Sequence, residues 1–316
     1  MRGPPLPVRR PLSVWHAAAL VAAVALAGCS KIDYLPANPV AGWYPPVVLM
    51  HRGGGYDCGP GLSCMPNTLP AVLHGFDTLD GAEVDIQISA DGTIWLGHDN
   101  ETLDCAGNQI GCFQDLHDSA IDPVAYCDGA SPCTPDPVSP STTCIQHYVR
   151  LEEVFAAVSG VQPSKMISLD VKGQYCRSLG IQDAQRMGEE VARLVRAHAM
   201  DWRVLAETSQ LNFLDQVGDS PLYTFVVSLG DVDAPLSSAV DRGARGISFK
   251  FAPGSEPMNA SVVEGIHRVG QRVILWTINA TDVDLCAARR AVPDVIETDM
   301  PNWVEYVTSV CGISGP

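Results

Sequence analysis

The sequence predicts an α/β fold, and three observations support this prediction. Nine short runs rich in apolar and β-branched residues follow one another along the chain, and in its second half they alternate with helix-like stretches. Such alternation is typical of a parallel sheet with crossover helices. The chain has 316 residues, 46% of them hydrophobic, which suits one large or two ordinary domains and excludes an intrinsically disordered chain.

The strand count predicts the architecture. The nine runs cover residues 47–52, 82–89, 93–98, 166–172, 204–208, 223–229, 246–251, 272–278 and 295–298. Asp91-Gly92 separates the second run from the third and is typical of a hairpin turn. We therefore expect the second strand to leave the sheet rim and the third to return to the same rim. Eight parallel strands remain, which predicts a TIM (β/α)8 barrel, with an open doubly wound sheet as the alternative.

The helix-like stretches lie between the later strands. Residues 181–199 place Ala184, Met187, Val191 and Leu194 at the spacing of one helix face. Further helices are predicted at residues 259–270, 281–291 and 302–310.

The first 28 residues have the pattern of an export signal. Arg2, Arg9 and Arg10 precede an uncharged run at residues 17–27, too short for a bilayer, which takes about 20 apolar residues. Leu-Ala-Gly-Cys ending at Cys29 resembles the lipobox of bacterial lipoproteins, which implies cleavage after residue 28 and lipidation of Cys29. An ordinary secretory signal is the alternative. We expect an extracytoplasmic protein, lipid-anchored to the periplasmic or cell-surface face of a bacterial membrane, with residues 29–46 as a tether.

The cysteines indicate disulfides. The chain has 11, so an even number remains if Cys29 carries lipid, and no C-x2-C spacing suggests a zinc site. Cys286 and Cys311 stand apart from the others, and we expect them to pair; the remaining connectivity is left open. Residues 100–150 hold five cysteines and little periodicity. We interpret them as a disulfide-stapled insertion over the catalytic rim of a domain spanning residues 47–312.

The charge of the chain argues against one class of partner. With 20 Lys+Arg against 36 Asp+Glu, the net charge is -16, which is unfavourable for binding nucleic acid. We expect a small-molecule substrate instead.

Acidic residues occupy matching positions on two predicted strands. Glu83 and Asp85 alternate with apolar residues in the second run, and Asp170 does so in the fourth. Because strand side chains alternate between faces, the two strands direct three carboxylates to one region, where burial and mutual repulsion are unfavourable. A divalent cation relieves both effects, and an oxygen-only ligand set favours Ca²⁺ or Mg²⁺ over zinc. For any single acid, a solvated strand face or a salt bridge is the alternative.

Two histidines follow predicted strands. His51 closes the first run and precedes Arg52 and three glycines, which permit close approach to a ligand. His98 closes the returning strand of the hairpin. Because imidazole titrates near neutral pH, the pair fits a general acid and a general base, while Arg52 and Lys172 supply positive charge for a phosphate. The other histidines are interpreted as structural: His74, His117, His147, His198 and His267.

Together these motifs resemble one family. His51-Arg52-Gly53, Glu83-Val84-Asp85 and His98-Asp99 are similar to the HRG, E-x-D and HD motifs of glycerophosphodiester phosphodiesterases, in that order. The resemblance extends over most of residues 47–301. It includes Asn67-Thr68 at the end of the E-N-T segment, Asp170-Val171-Lys172 at the E-x-K position, Trp276-Thr277-Ile278-Asn279, and Thr298-Asp299-Met300-Pro301.

The resemblance implies hydrolysis of glycerophosphodiesters to glycerol 3-phosphate and an alcohol in a (β/α)8 barrel with one divalent cation. It implies that His51 and His98 are the acid/base pair, with either one as the base. It also implies the following roles: cation ligands Glu83, Asp85 and Asp170; phosphate-binding residues Arg52 and Lys172; and Trp276 in the pocket for the alcohol part. One histidine would deprotonate the glycerol 2-hydroxyl, which attacks phosphorus to give a cyclic phosphate, while the other protonates the departing alcohol.

Two positions depart from the family pattern. Pro66 stands where E-N-T has its glutamate, so a carboxylate near His51 is missing or comes from elsewhere. Asp170 replaces a glutamate and is similar to the aspartate of the related sphingomyelinase D-like phospholipases. The alternatives are therefore phospholipase D-like cleavage of lysophospholipid or sphingolipid headgroups, and a non-catalytic phosphodiester-binding lipoprotein.

Overall fold

The computed structural model describes residues 46–54, 65–99, 101–104, 108–126, 146–160, 164–173, 179–251, 260–279 and 282–311. The chain divides into two units, Met1–Ala37 and Asn38–Pro316, and the described residues all belong to the second. The predicted signal peptide, Cys29 and residues 29–45 of the tether lie outside the described residues. Within the described part of the chain, no helix is both long and apolar enough to cross a membrane.

Eight parallel strands close into a barrel, as predicted. The strands are β1 (Val47–Met50), β2 (Gly81–Ile88), β8 (Met166–Val171), β9 (Val204–Thr208), β10 (Tyr223–Ser228), β11 (Gly246–Lys250), β12 (Arg272–Trp276) and β13 (Val295–Thr298). In the order β1-β13-β12-β11-β10-β9-β8-β2, each strand pairs with the next, and β2 pairs back to β1 through Met50 and Ala82.

The second strand carries the predicted hairpin. β2 pairs antiparallel with β3 (Ile94–Leu96), with Ile88 opposite Ile94 and Ile86 opposite Leu96. β2 therefore extends beyond the barrel, and β3 returns the chain to the rim just before His98. Gly81 fixes the start of β2, since its φ is +143° and a Cβ there would lie 1.8 Å from the carbonyl oxygen of Met166.

Helices surround the barrel. They are α1 (Leu69–Thr78), α2 (Asp118–Ile121), α3 (Leu151–Val158), α4 (Ile181–Ala197), α5 (Leu211–Val217), α6 (Asp233–Asp241), α7 (Ala260–Arg268), α8 (Asp282–Ala291) and α9 (Trp303–Cys311). The four predicted helices are confirmed within two residues at each end, and α4 stops before Ala199, whose φ is +52°. Sequence periodicity missed α1, α3, α5 and α6, because two or three turns give few repeats of an apolar face.

The apolar core separates the helices from the barrel lumen. Val84 and Ile86 of β2 pack in one buried cluster with Val72 and Phe76 of α1. The alternate residues of β2, Glu83 and Asp85, therefore point into the lumen. A single strand thus supplies both the core and the acidic side chains at the barrel mouth.

The predicted insertion has its own small core. Two short hairpins are formed by β4 (Glu101–Leu103) with β5 (Gln109–Cys112), and by β6 (Ala125–Tyr126) with β7 (Gln146–His147). Phe113 packs edge-to-face on Tyr148 within a separate buried cluster that includes Trp95. Cys112 is disulfide-bonded; the other cysteines of the insertion lie outside the described residues.

The predicted pairing of Cys286 with Cys311 is confirmed. The disulfide joins α8 to α9, with the two Cα atoms 5.4 Å apart. It secures the end of the described chain to the preceding helix.

Candidate active site

The turn after β1 builds one wall of the site. His51–Gly53 form a single 3-10 turn in which Arg52 has a φ of +53° and Gly53 a φ of +79°. A Cβ at position 53 would lie 2.7 Å from the backbone nitrogen of Val72, so this position requires glycine. The tight turn directs the backbone N–H of Arg52 to Glu83 Oε2 at 2.7 Å.

Three predicted cation ligands converge. Asp85 lies opposite Asp170 in the β2–β8 register, and Glu83 is two residues earlier on the same face. One carboxylate oxygen from each lies within 4.8 Å of the others; we call these three residues the acid cluster. Glu83 and Asp85 are buried, and Asp170 is partly exposed. Three hard oxygen donors at this separation fit Ca²⁺ or Mg²⁺.

Asn67 holds the acid cluster in place, and sequence reasoning gave it no role. Its side-chain amide donates to Asp85 Oδ2 at 2.7 Å and accepts from the backbone N–H of Asp85 at 2.9 Å. Asn67 has a φ of +59°, a conformation that asparagine tolerates better than most residues.

The two predicted phosphate-binding residues contact the acid cluster. Lys172 Nζ lies 2.9 Å from Asp85 Oδ1 and 2.6 Å from Asp170 Oδ2, while Arg52 Nε lies 3.4 Å from Asp85 Oδ2. These contacts place two positive charges beside the acid cluster.

The three carboxyl groups of the acid cluster differ in their pKa values. Burial, followed by the charges of Asp85 and Asp170, raises the pKa of Glu83 well above its usual value. Burial likewise raises the pKa of Asp170 to about 6, although Lys172 opposes it. Asp85 is also buried, but nearby positive charge, above all Lys172, holds its pKa well below the usual range. Burial and mutual repulsion thus raise the pKa of two of the three carboxyl groups, while Lys172 lowers that of the third.

His51 is oriented by a carboxylate from the opposite end of the chain. Its Nδ1 donates to Asp299 Oδ1 at 2.7 Å, and Nε2 lies 4.0 Å from Glu83 Oε2. Asn279 accepts from the backbone N–H of Asp299 at 3.0 Å and donates to its Oδ2. Asp299 thus supplies the carboxylate near His51 that Pro66 cannot.

The carboxylate partner of His98 is its neighbour in sequence, Asp99. Nδ1 of His98 lies 2.9 Å from Oδ1 of Asp99. Gln87 donates from Nε2 to the carbonyl oxygens of Gly97 and Asp99, at 3.1 and 2.5 Å, and so secures the segment that carries the imidazole.

Two further buried carboxylates, Glu207 of β9 and Glu297 of β13, were not among the predicted site residues. We call them the acid pair. Glu207 accepts from the hydroxyls of Ser168 and Ser248 and is hydrogen-bonded to Glu297. Burial, and then the charge of Glu207, raises the pKa of Glu297 well above its usual value. An acid within a short apolar strand is the sequence signal that could have identified each of them.

A cleft of about 220 Å³ lies at the carboxyl-terminal rim of the barrel. It is lined by Glu83 and Asp170 of the acid cluster, by Arg52 and Lys172, and by the acid pair. Both predicted catalytic histidines line this cleft, and so do the apolar side chains of Val227, Leu229 and Trp276. Trp276 therefore lies at the cleft. None of the five histidines interpreted as structural lines this cleft, and His267 instead pairs with Asp294 at 2.8 Å.

A barrel with acids, imidazoles and basic side chains at its carboxyl-terminal rim carries the functional groups that hydrolysis of a phosphoric ester requires. Residues 51–302 match the model of the Glycerophosphoryl diester phosphodiesterase family. The chain belongs to this family and is a phosphoric diester hydrolase. No curated protein sequence matches the chain.

Solved structures share the fold at low identity. A putative glycerophosphoryl diester phosphodiesterase from Silicibacter pomeroyi superposes with a TM-score of 0.69 at 20% identity, covering 90% of this chain and 100% of its own. The Thermotoga maritima glycerophosphodiester phosphodiesterase superposes with a TM-score of 0.58 at 17% identity, and the match covers 84% of this chain and 99% of that one. An Oleispira antarctica phosphodiesterase, solved with the product sn-glycerol-3-phosphate, superposes with a TM-score of 0.64 at 15% identity. That match covers 85% of this chain and 98% of the other.

Proposed function

We propose that this enzyme hydrolyses glycerophosphodiesters to glycerol 3-phosphate and an alcohol, using one divalent cation, Ca²⁺ or Mg²⁺. The observation that carries the proposal is the convergence of the acid cluster with two carboxylate-oriented imidazoles in one cleft. The Oleispira antarctica structure with sn-glycerol-3-phosphate supports a product of this kind.

His51 and His98 perform the proton transfers. One imidazole takes the proton of the glycerol 2-hydroxyl as its oxygen attacks phosphorus, and the other donates a proton to the alcohol oxygen as the phosphorus–oxygen bond breaks. Water then opens the cyclic phosphate, with the two imidazoles exchanging roles, so that both return to their initial protonation states. Asp299 and Asp99 engage the Nδ1 atoms, so we assign the transfers to Nε2 of each ring.

Arg52 and Lys172 bind the phosphoryl oxygens. Both lie beside the acid cluster, so their charges reach the position where negative charge develops. Glu83, Asp85 and Asp170 would hold the cation, which would supply Lewis-acid stabilisation of that charge.

Phospholipase D-like cleavage of lysophospholipid or sphingolipid headgroups is the second candidate, and Leu229 is the observation that favours it. Leu229 lines the cleft yet is 74% exposed, so the cleft offers apolar surface to an acyl chain.

Product analysis tests both candidates. The purified protein is stripped with chelator, and Ca²⁺ or Mg²⁺ is added back with glycerophosphocholine or lysophosphatidylcholine. Release of glycerol 3-phosphate from glycerophosphocholine supports the first proposal, whereas turnover of the long-chain substrate alone supports the second. No turnover of either, with retained binding of glycerophosphocholine, would indicate a non-catalytic binding protein.

We also infer that the enzyme is lipid-anchored at Cys29 on the periplasmic or cell-surface face of a bacterial membrane. The inference depends on the sequence of residues 1–29 alone. Cys29→Ser should move the protein from the membrane fraction to the soluble fraction. Unchanged membrane association of this variant would contradict the inference.

A further inference from the structure

The hairpin that leads to His98 is fastened to the insertion by one carboxylate. Asp118, the first residue of α2, accepts hydrogen bonds from the hydroxyls of Ser89 at 2.7 Å and Thr93 at 2.5 Å, which lie on either side of the hairpin turn. It also accepts from the indole N–H of Trp95 on β3, at 3.0 Å. All three donors belong to the hairpin, so the carboxylate of Asp118 binds the hairpin rather than its own helix.

The turn of the hairpin binds the insertion in return. The Asp91 carboxylate accepts from the backbone N–H of Asp118 at 2.8 Å, and Nδ1 of His117 lies 2.7 Å from its other oxygen. The backbone N–H of Ala90 donates to the carbonyl oxygen of Leu116 at 2.9 Å. Hydrogen bonds thus run in both directions, and several would have to break before the hairpin could move away from the insertion.

The insertion also packs against the backbone just before His98. A Cβ at position 97 would lie 3.0 Å from the ring of Phe113, which is fully buried, so the close approach depends on Gly97 having no side chain. The backbone N–H of Leu96 donates to the carbonyl oxygen of Val149 at 2.8 Å. The position of His98 therefore depends on the insertion as well as on the barrel.

We propose that Asp118 is a positioning residue for His98, and that the insertion thereby supports one of the two catalytic imidazoles. The proposal rests on the function proposed above and deepens it. Trp95 connects the two residues: its indole is bound by Asp118, it is 1% exposed, and it precedes His98 by three positions. Because proton transfer requires the imidazole within hydrogen-bonding distance of the substrate, a small displacement of this segment lowers turnover.

Three variants distinguish the contacts of the Asp118 carboxylate from its charge. Asp118→Ala removes all three acceptor contacts, whereas Asp118→Asn keeps one acceptor oxygen and nearly the same shape. Asp77→Ala removes an exposed acid on α1 and is the charge-matched control. We expect all three variants to fold, because Asp118 is only partly buried and no apolar core residue is changed.

Steady-state kinetics with glycerophosphocholine measure the effect on turnover. Asp118→Ala should lower kcat by about tenfold and leave KM within about twofold of wild type, with Asp118→Asn in between and Asp77→Ala unchanged. Melting temperatures show that each variant is folded at the assay temperature. If Asp118→Ala does not fold, Asp118→Asn decides, with an expected loss in kcat of about threefold. A folded Asp118→Ala variant with the kcat of wild type would overturn the proposal.

A double-mutant cycle shows whether Asp118 acts through His98. The p-nitrophenyl phosphodiester of glycerol has a good leaving group, which allows turnover to be measured even without His98. Adding Asp118→Ala to His98→Ala should cause no further loss, because the imidazole that Asp118 positions is then absent. A further loss as large as that seen with His98 present would show that Asp118 supports the fold in general, and the proposal would be wrong.

NMR of the imidazole rings separates this proposal from the proposed function, since it needs no turnover. The ring signals of His98, assigned by their loss in His98→Ala, should shift or broaden in Asp118→Ala, while those of His51 stay in place. If they do so in a protein that does not turn over glycerophosphocholine, the positioning role stands and only the catalytic proposal fails. Unchanged His98 signals would refute the positioning role.

Discussion

Asp299 Oδ1 accepts a hydrogen bond from Nδ1 of His51 at 2.7 Å, across 248 positions of sequence. Asp299 follows β13, and β13 pairs in parallel with β1, which ends just before His51. Closure of the barrel therefore brings the two residues together. The carboxylate fixes the orientation of the imidazole and directs Nε2 towards the acid cluster.

Replacing Asp299 should impair turnover without preventing substrate binding. We expect Asp299→Asn to lower kcat by about 10²-fold with little change in KM, because general acid–base catalysis depends on a correctly oriented imidazole. The exposed Asp201, replaced in the same way, serves as the charge-matched control. Activity of Asp299→Asn within threefold of wild type would show that His51 needs no such support.

The histidines themselves should be indispensable. His51→Ala and His98→Ala should each abolish measurable turnover, while the melting temperature changes little because both side chains lie at the rim of the barrel. Steady-state assays and thermal melts check the two halves of this prediction. An active double variant would refute the assignment of both residues.

Asn67 should matter for cation affinity. Asn67→Gly removes the amide that holds Asp85 but tolerates the φ of +59°. Since groups that orient metal ligands are typically worth 10- to 100-fold in affinity, we expect a loss of about that size, measured by calorimetry with Ca²⁺. A variant that binds the cation as tightly as wild type would contradict the role given to Asn67.

Lys172 allows phosphate binding to be separated from cation binding. Lys172→Met removes the positive charge that pairs with Asp85 and Asp170, so the acid cluster should bind a cation at least as tightly as in wild type. Turnover should nevertheless fall, because the phosphoryl group loses a positive partner. Weaker cation binding together with unchanged kcat would reverse this assignment.

The raised pKa values predict how stability responds to pH and cation. The pKa of Asp170 is about 6 in the folded chain, above the usual value of about 4 in an unfolded chain. Between these values the folded state binds the extra proton, so this group's contribution to stability falls as pH rises through the window. A bound cation requires the carboxylate form, so Ca²⁺ should raise the melting temperature more at about pH 7.5 than at about pH 5. A larger increase at the lower pH would contradict a carboxylate site.

The disulfide between α8 and α9 should stabilise the fold without serving catalysis. The double variant Cys286→Ser/Cys311→Ser should lose about 3 kcal/mol of unfolding free energy, through greater entropy of the unfolded chain. Neither cysteine lines the cleft, so kcat at low temperature should be unchanged. Denaturant titration measures the loss of stability, and steady-state kinetics measure kcat. A large loss of kcat would show that the disulfide also supports catalysis.

Much of the fold could be predicted because barrel strands have a short, local signature. In β2, apolar and acidic residues alternate. This pattern identified both the side chains that face the core, Val84 and Ile86, and those that face the lumen, Glu83 and Asp85. Short helices such as α5, with seven residues, lack enough repeats for this kind of reasoning.

The site was predictable to the extent that its residues follow strands. His51, His98 and Asp170 were found from their strand positions, but the supporting groups depend on contacts across the closed barrel. Asp299 reaches His51 only through the β1–β13 pairing, and Glu297 meets Glu207 only inside the lumen. No local pattern encodes such contacts between distant segments.

The central claim is that three carboxylates hold one catalytic divalent cation beside two imidazoles. It is tested most directly by titrating Ca²⁺ or Mg²⁺ into chelator-stripped enzyme while following bound cation and glycerol 3-phosphate release in the same samples. We predict that activity rises with occupancy and saturates at about one cation per chain, and that Glu83→Gln abolishes both responses. Full activity in excess chelator, or activity that does not depend on bound cation, would contradict the account.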